Sequence, residues 1–194
     1  MTRETGTQAT RFAMPLFGVT GWKNSGKTTL TSRLITELVA RGYRVHAVKH
    51  AHHAFDIDRE GTDSYRHRTA GATETAIVSN ARWALMHELR DAEEPPLGDI
   101  IARLSPADIV IIEGYKREAH PKIECRRTEA RAQTPLAPID PTIRAIACEA
   151  PSQEGDLPEF HLDNVSAIAD FVERLHGLDP ARAMGAAYSR QAQE

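Results

Sequence analysis

The stretch Gly21-x-x-x-x-Gly26-Lys27-Thr28 has the residue types and spacing needed to hold a polyphosphate. Its glycines let the backbone turn tightly, so that successive N–H groups point inward at phosphate oxygens. The loop opens a helix, whose unpaired first N–H groups and dipole favour negative charge. Lys27 can reach the β- and γ-phosphates, the Thr28 hydroxyl can ligate Mg²⁺, and Thr29 can contact the α-phosphate. With Trp22, Lys23, Asn24 and Ser25 between the glycines, the candidate nucleotide-binding set runs without a break from Gly21 to Thr29. Trp22 reads as a lid or surface aromatic.

A second stretch, Asp108-Ile-Val-Ile-Ile-Glu113-Gly114-Tyr115, ends an apolar run on a carboxylate. In open α/β sheets, ligands bind outside the carboxyl ends of the strands. Glu113 is thereby the candidate Mg²⁺ carboxylate, Gly114 allows close approach to the γ-phosphate, and Asp108, at the other end, reads as a solvated cap. A third stretch, from Lys49 through His50, His52 and His53 to Asp56 and Asp58, leaves a strand on the same side. Asp56 and Asp58 could bind Mg²⁺ or orient water, and the three imidazoles admit a transition-metal reading. A fourth places Lys116, Arg117 and Lys122 just after Glu113, as an anion-handling or partner-docking surface or simply a solvated loop.

These groups need a frame. Pro15 to Thr20 is a short apolar strand, after which Leu30, Leu34, Ile35, Leu38 and Val39 mark one face of a helix that stops at Arg41-Gly42. Arg44 to Lys49 is a second strand, so the opening is a βαβ unit and predicts a parallel sheet. Thr62 or Asp63 caps a short helix ending near Gly71. Thr73 to Ser79 and Arg82 to Glu88 form a hairpin, and Leu97 to Leu104 a helix. Asp108 to Ile112, Pro121 to Arg126 and Thr142 to Cys148 are further strands, and 150–159 is a loop. Asp163 caps a last helix with Val165, Ile168, Ala169, Val172 and Leu175 on its core face, ending at Gly177. The expected organisation is a tail over 1–13, one nucleotide-binding domain over 14–177 and a second tail over 178–194.

Composition sets the outer limits. The chain has 194 residues, 41% hydrophobic and 26% charged, with 24 Lys and Arg against 27 Asp and Glu, for a net charge of -3. That balance leaves no electrostatic footprint for nucleic acid or an anionic membrane. The two cysteines, Cys125 and Cys148, lie in apolar stretches and read as buried reduced thiols. The polar opening MTRETGTQATRFA does not resemble a signal peptide, and the default expectation is a cytoplasmic protein.

Taken together, "GWKNSGKTTL", "VKHAHHAFDIDREGTDSYRHRTAGA", "IVIIEGYK" and "HPKIECRR" resemble the MobB family of adaptor proteins in molybdopterin-guanine dinucleotide biosynthesis. The likeness runs from about Phe17 to Arg127. It implies an α/β fold of the P-loop NTPase type: a doubly wound, mostly parallel sheet with flanking helices and a β-hairpin. It also implies a weakly hydrolysing, homodimeric GTP-binding protein that uses Mg²⁺ and assists a molybdopterin guanylyltransferase. Matched position by position, the family's phosphate-loop residues fall on Gly21 to Thr29 and its acidic residues on Asp58 and Glu113. The candidate catalytic set is then Lys27, Asp58 and Glu113, and the metal set Thr28, Asp58 and Glu113.

Guanine preference comes with the resemblance alone. The base-reading run Asn-Lys-x-Asp is absent, since the asparagines are Asn24, Asn80 and Asn164 and none precedes a lysine. The residues themselves leave GTP and ATP open. Two other readings stand beside the adaptor: a metallochaperone GTPase with His50, His52 and His53 as its metal handle, and a small-molecule kinase holding an acceptor with Arg66, Arg68 or Lys116.

Overall fold

In the computed structural model, residues 14–51, 55–130, 134–150 and 156–183 are described. The expected N-terminal tail, along with His52 and His53, lies outside them. The elements run β1 (Leu16–Gly21), α1 (Lys27–Ala40), β2 (Val45–Lys49), α2 (Asp63–Thr69), β3 (Glu74–Val78), β4 (Trp83–His87), α3 (Leu97–Ala102), β5 (Ile109–Glu113), β6 (Lys122–Arg126), β7 (Ile143–Cys148), β8 (Glu159–His161) and α4 (Val165–His176). They divide into two compact units, one made of residues 1–50 and 101–194 and the other of residues 51–100.

The larger unit is a six-stranded sheet in the order β2-β5-β1-β6-β7-β8 with every pairing parallel. Parallel strands need crossovers that cover the sheet, so their side chains are buried on both faces and read as continuous apolar runs. Ile109 to Ile112 is such a run and is fully buried. Phe17 and Val19 of β1, Ile109 and Ile111 of β5, Ile123 of β6 and Ala145 and Ala147 of β7 share one core with Leu34 and Leu38 of α1 and Ile168 and Val172 of α4. Each large aliphatic side chain buried there contributes about 1.5–3 kcal/mol relative to exposure.

Polar contacts fix how α1 and α4 meet. Arg41, just past the end of α1, donates to Glu37, Asp170, Glu173 and the Ser166 carbonyl, so it binds α4 as well as ending its own helix. Arg33 pairs with Asp163 at 2.5 Å. The cap of α4 therefore differs from the expected one: Asn164 accepts from Ala167 N, while Asp163 is engaged by Arg33. Asp108 is likewise not a solvated cap, because its Oδ2 accepts the Arg44 N–H at 2.7 Å and ties the start of β5 to β2. The short strand β8, hydrogen-bonded to β7, falls at the end of the segment expected to be a loop. The stretch expected as a tail after Gly177 carries a 3₁₀ turn at Pro180–Arg182, with Ala183 buried in the core.

In the smaller unit, of the two caps expected, Thr62 rather than Asp63 caps α2, through Tyr65 N, and β3 and β4 form the expected hairpin. Arg68 of α2 donates to Asp58 at 2.8 Å and Asp56 at 2.9 Å, and its other arm lies 3.5 Å from Glu88.

The larger unit also buries a titratable group under β1. Lys122 is fully buried, with its ammonium donating to the Glu118 carbonyl and, at 2.5 Å, to Thr142 Oγ1. It cannot belong to a docking surface, contrary to its sequence reading. Beside it, His120 is 2% exposed, and its ring occupies the space that a Cβ on Gly18 would need. Burial, and then the Lys122 charge, push the His120 pKa down to about 4. Because the unfolded imidazole titrates near 6.5, the unfolded chain binds the extra proton between these values. This contribution to stability is complete above pH 6.5 and is lost as pH falls toward 4, by up to about 3 kcal/mol. Denaturant unfolding between pH 7 and 4 should show a stability loss that His120→Leu visibly flattens.

Candidate functional site

Gly21 is the last residue of β1, and the loop after it closes on the first turn of α1. A Cβ on Gly21 would lie 2.5 Å from Ser25 Oγ and 2.6 Å from the Cys125 carbonyl, and its φ of +141° is one that side chains rarely adopt. Asn24 (φ 67°) and Gly26 (φ 88°) are left-handed, which turns the chain into a cradle. Gly26 stands at the helix N-cap and supplies no side-chain cap, so the first N–H groups of α1 remain to be satisfied from outside. Inside the cradle the Ser25 hydroxyl is 1% exposed and has no hydrogen-bond partner among the described residues.

The side chains around this loop converge on one spot. Thr28 Oγ1 donates to Glu113 Oε1 at 2.7 Å, and Lys49 Nζ lies 3.5 Å from the same oxygen. Lys27 Nζ donates to the Trp22 carbonyl at 2.5 Å. Its pKa is lowered, first by burial and also by the charges of Lys116 and Lys49, with Glu113 acting in the opposite direction. Lys27 and Lys49 thus both lie within the influence of one carboxylate and Lys116 adds a third positive charge, an excess that suits a polyphosphate. Beneath them Cys125 is buried and its thiol is pushed up to about 12, mainly by desolvation, so it stays neutral.

Trp22 covers the loop from one side. Its Nε1 donates to the Thr134 carbonyl at 2.7 Å, and the Lys116 ammonium sits 4.1 Å from its ring centroid. The 134–137 segment is held by Glu124, 1% exposed on β6, which accepts from Leu136 N and Ala137 N at 2.8 and 2.9 Å and pairs with Arg126. On the Glu113 side, His50 N donates to the Glu113 carbonyl at 2.9 Å and its ring lies 4.5 Å from that of Tyr115. Gly114 is glycine because a Cβ there would meet His50 at 3.0 Å and its φ is +98°.

The structure therefore joins Gly21 to Thr29, Lys27 and Glu113 into one site. Asp58 belongs to the other unit, where its side chain is buried against Arg68. Arg68, one of the groups weighed for holding an acceptor, is committed there to carboxylates. Of the histidine cluster only His50 is described, and among the described residues no group of three or more His, Cys, Asp or Glu could hold a metal ion. A P-loop Mg²⁺ needs less, since it takes one or two carboxylates, waters and substrate phosphates. Thr28 and Glu113 fit that role.

Glu124, Arg127 and Glu149 are the residues near the site that the sequence motifs did not single out. Charged residues recurring at 122, 124 and 126 in a strand next to the phosphate loop are a readable signal, because buried charges need partners.

A parallel sheet whose central strand feeds a phosphate cradle, with a carboxylate at the end of the adjoining strand, is the architecture of P-loop nucleotide-binding proteins. The chain matches the family "MobB: Molybdopterin guanine dinucleotide synthesis protein B" over residues 16–149. It belongs to that family. It is 39% identical over 173 residues to the molybdopterin-guanine dinucleotide biosynthesis adapter protein of Haemophilus influenzae, covering 87% of this chain and 94% of the relative. To the Escherichia coli protein of the same name it is 39% identical over 161 residues, covering 82% and 91%. Among solved structures, a MobB homolog from Bacillus stearothermophilus superposes with a TM-score of 0.62 at 28% identity, over 84% of this chain and 99% of that one. Bacillus subtilis MobB gives 0.64 at 25% identity, over 83% and 97%.

Two substitutions test the geometry. Lys27→Ala should weaken triphosphate binding by about 2–3 kcal/mol through loss of a charge-assisted contact; unchanged affinity by calorimetry would overturn the phosphate-loop assignment. Glu113→Gln should spare binding without Mg²⁺ and reduce the gain that Mg²⁺ brings, whereas an equal effect with and without metal would count against Glu113 as a metal group.

Proposed function

We propose that this chain is a GTP-binding adaptor in molybdopterin-guanine dinucleotide biosynthesis, acting on a molybdopterin guanylyltransferase. Family membership supports the pathway. The observation that carries the nucleotide is the 2.7 Å bond from Thr28 to Glu113 at the mouth of a cradle flanked by three lysines. Bound Mg²⁺ would neutralise phosphate charge; Thr28 and Glu113 would hold it, and Lys27 would exchange the Trp22 carbonyl for phosphate oxygens. The backbone N–H groups of Gly26 to Thr29 would bind and orient the phosphates. No catalytic glutamine or arginine finger is evident in the sequence motifs, so hydrolysis should be slow. No helix among the described residues is long and apolar enough to cross a membrane, which suits a cytoplasmic site of action.

A homodimer is part of the same proposal. The register of the hairpin puts Val78 opposite Trp83 and Ala76 opposite Leu85, on one face. Val78, Trp83 and Leu85 are 75%, 71% and 50% exposed. A two-stranded ribbon is marginally stable alone, and a second copy would cover this apolar face. Trp83→Lys with Leu85→Glu should halve the mass seen by light scattering; an unchanged mass would exclude this face as the dimer contact.

The adaptor role is tested with the transferase itself. The loop after Glu113 carries Lys116 to the Trp22 ring beside the cradle, so nucleotide there would alter the surface a partner meets. Affinity for the purified transferase should rise with Mg-GTP and lose that gain in Lys116→Ala. Equal affinity with GTP, without it and in the variant would sink the mechanism.

A further inference from the structure

The side of the cradle away from Glu113 carries a second charged pair. In β6, residues 123, 125 and 127 alternate toward α1, with Ile123 and Cys125 in the core shared with that helix. The next residue on that side, Arg127, just past the strand, brings its Nε to 3.3 Å from where a Cβ on Gly26 would lie. Its guanidinium therefore rests against the first turn of the phosphate loop's helix. Glu149, the first residue after β7, faces it: Glu149 Oε1 is 3.3 Å from Arg127 Nε, and Oε2 accepts the Thr128 N–H and hydroxyl, each at 3.3 Å. All three contacts are long for bonds to a carboxylate, and the side chain is 41% exposed. The carboxylate is held in place without being saturated.

Placement along the sheet says what such a group can meet. Thr28, Glu113 and Lys49 mark the terminal-phosphate end of the site on the β5 and β2 side of β1. A nucleotide lying across the loop must then send its sugar and base toward the β6 and β7 side, over Arg127 and Glu149. Guanine presents two adjacent donors, N1–H and the 2-amino group, which match the two oxygens of a carboxylate. Adenine offers a lone pair at N1 and no 2-amino group, so a carboxylate repels it. We propose that Glu149 reads the guanine edge and that Arg127 positions it while contacting the nucleotide's sugar-phosphate, supplying the preference that the absent Asn-Lys-x-Asp run supplies elsewhere.

This inference rests on the nucleotide reading above, and the test separates the two. Equilibrium binding of GTP, ATP and XTP is measured for the unaltered chain and for Glu149→Gln and Glu149→Asp. XTP replaces the 2-amino donor with a carbonyl, which an amide at 149 can donate to while accepting N1–H. The unaltered chain should prefer GTP over both ATP and XTP by roughly tenfold or more, the range of a charged hydrogen bond. Glu149→Gln should reverse the GTP-to-XTP order, a gain that only a folded variant can show, and Glu149→Asp should keep GTP first. An unaltered chain that binds GTP and ATP equally, or a Glu149→Gln variant that still prefers GTP, would overturn the role of Glu149 while leaving the phosphate site standing. No binding of any triphosphate to the unaltered chain would overturn the nucleotide reading and this inference with it.

Discussion

The site depends on one registry. Parallel pairing sets Val19 of β1 opposite Glu113 of β5, two residues before β1 breaks into the phosphate loop. Only with that offset does the Glu113 carboxylate reach the Thr28 hydroxyl in the first turn of α1. Strand side chains alternate between faces, so a slip of one residue in β5 would send Glu113 to the opposite face and expose an isoleucine in its place. What prevents the slip is packing: Ile109 and Ile111 belong to the core under α1 and α4, and Val110 and Ile112 are buried on the other face. A strand apolar on both sides is held from both sides. The carboxylate at its end inherits that rigidity.

The cradle itself is a strained, polar place supported by a neutral floor. Gly21 and Gly26 take conformations or approaches that a side chain resists, and Ser25 is buried with an unpartnered hydroxyl. Lys27 finds the Trp22 carbonyl as an internal acceptor, an arrangement that keeps the ammonium aimed along the loop without a permanent salt bridge to displace. Directly below, Cys125 is a small thiol kept neutral by burial, so it does not compete with an anion for the loop's N–H groups. Glu124, the other buried acid of β6, faces away and is occupied by Arg126 and two backbone N–H groups.

How much of this could be read from residues alone follows from how local each cause is. The βαβ opening, the loop, Thr62 as a cap and the buried β5 all have short-range signatures, and the structure places them within a residue or two. The cap of α4 was misread because Asp163 and Asn164 are both good N-caps. The choice between them is made by Arg33, which is 130 positions from Asp163. Lys122 reads as one of several bases on an exposed loop because two of its side-chain partners, Thr142 and Asp140, come from a later segment. The same reason hid Asp108, whose acceptor role depends on Arg44. In all three cases a polar side chain has a partner distant in sequence, and no periodicity reports such a pairing.

The strand β6 shows why that blind spot coincides with function. Its sequence KIECRR alternates charged and apolar residues up to Arg126, which resembles a half-exposed strand, yet Lys122, Glu124 and Cys125 are all buried. One side of the strand carries Lys122 and Glu124, each with internal partners, and Glu124 thereby anchors the 134–137 segment that receives the Trp22 N–H. The other side carries Ile123 and Cys125 beneath α1 and ends at Arg127 against Gly26. Charge inside a central strand is costly unless each group is paired, so a sequence that keeps Lys122, Glu124 and Arg126 along one side of such a strand is organising something on that face. Here one face fixes the cover of the phosphate loop and the other presents a cation, already paired to Glu149, to the loop's first turn. The two edges of β1 thus carry different chemistry: β5 brings a carboxylate to the hydroxyl that would hold a metal, and β6 brings a guanidinium to the opposite flank. That asymmetry would give a nucleotide bound there a direction.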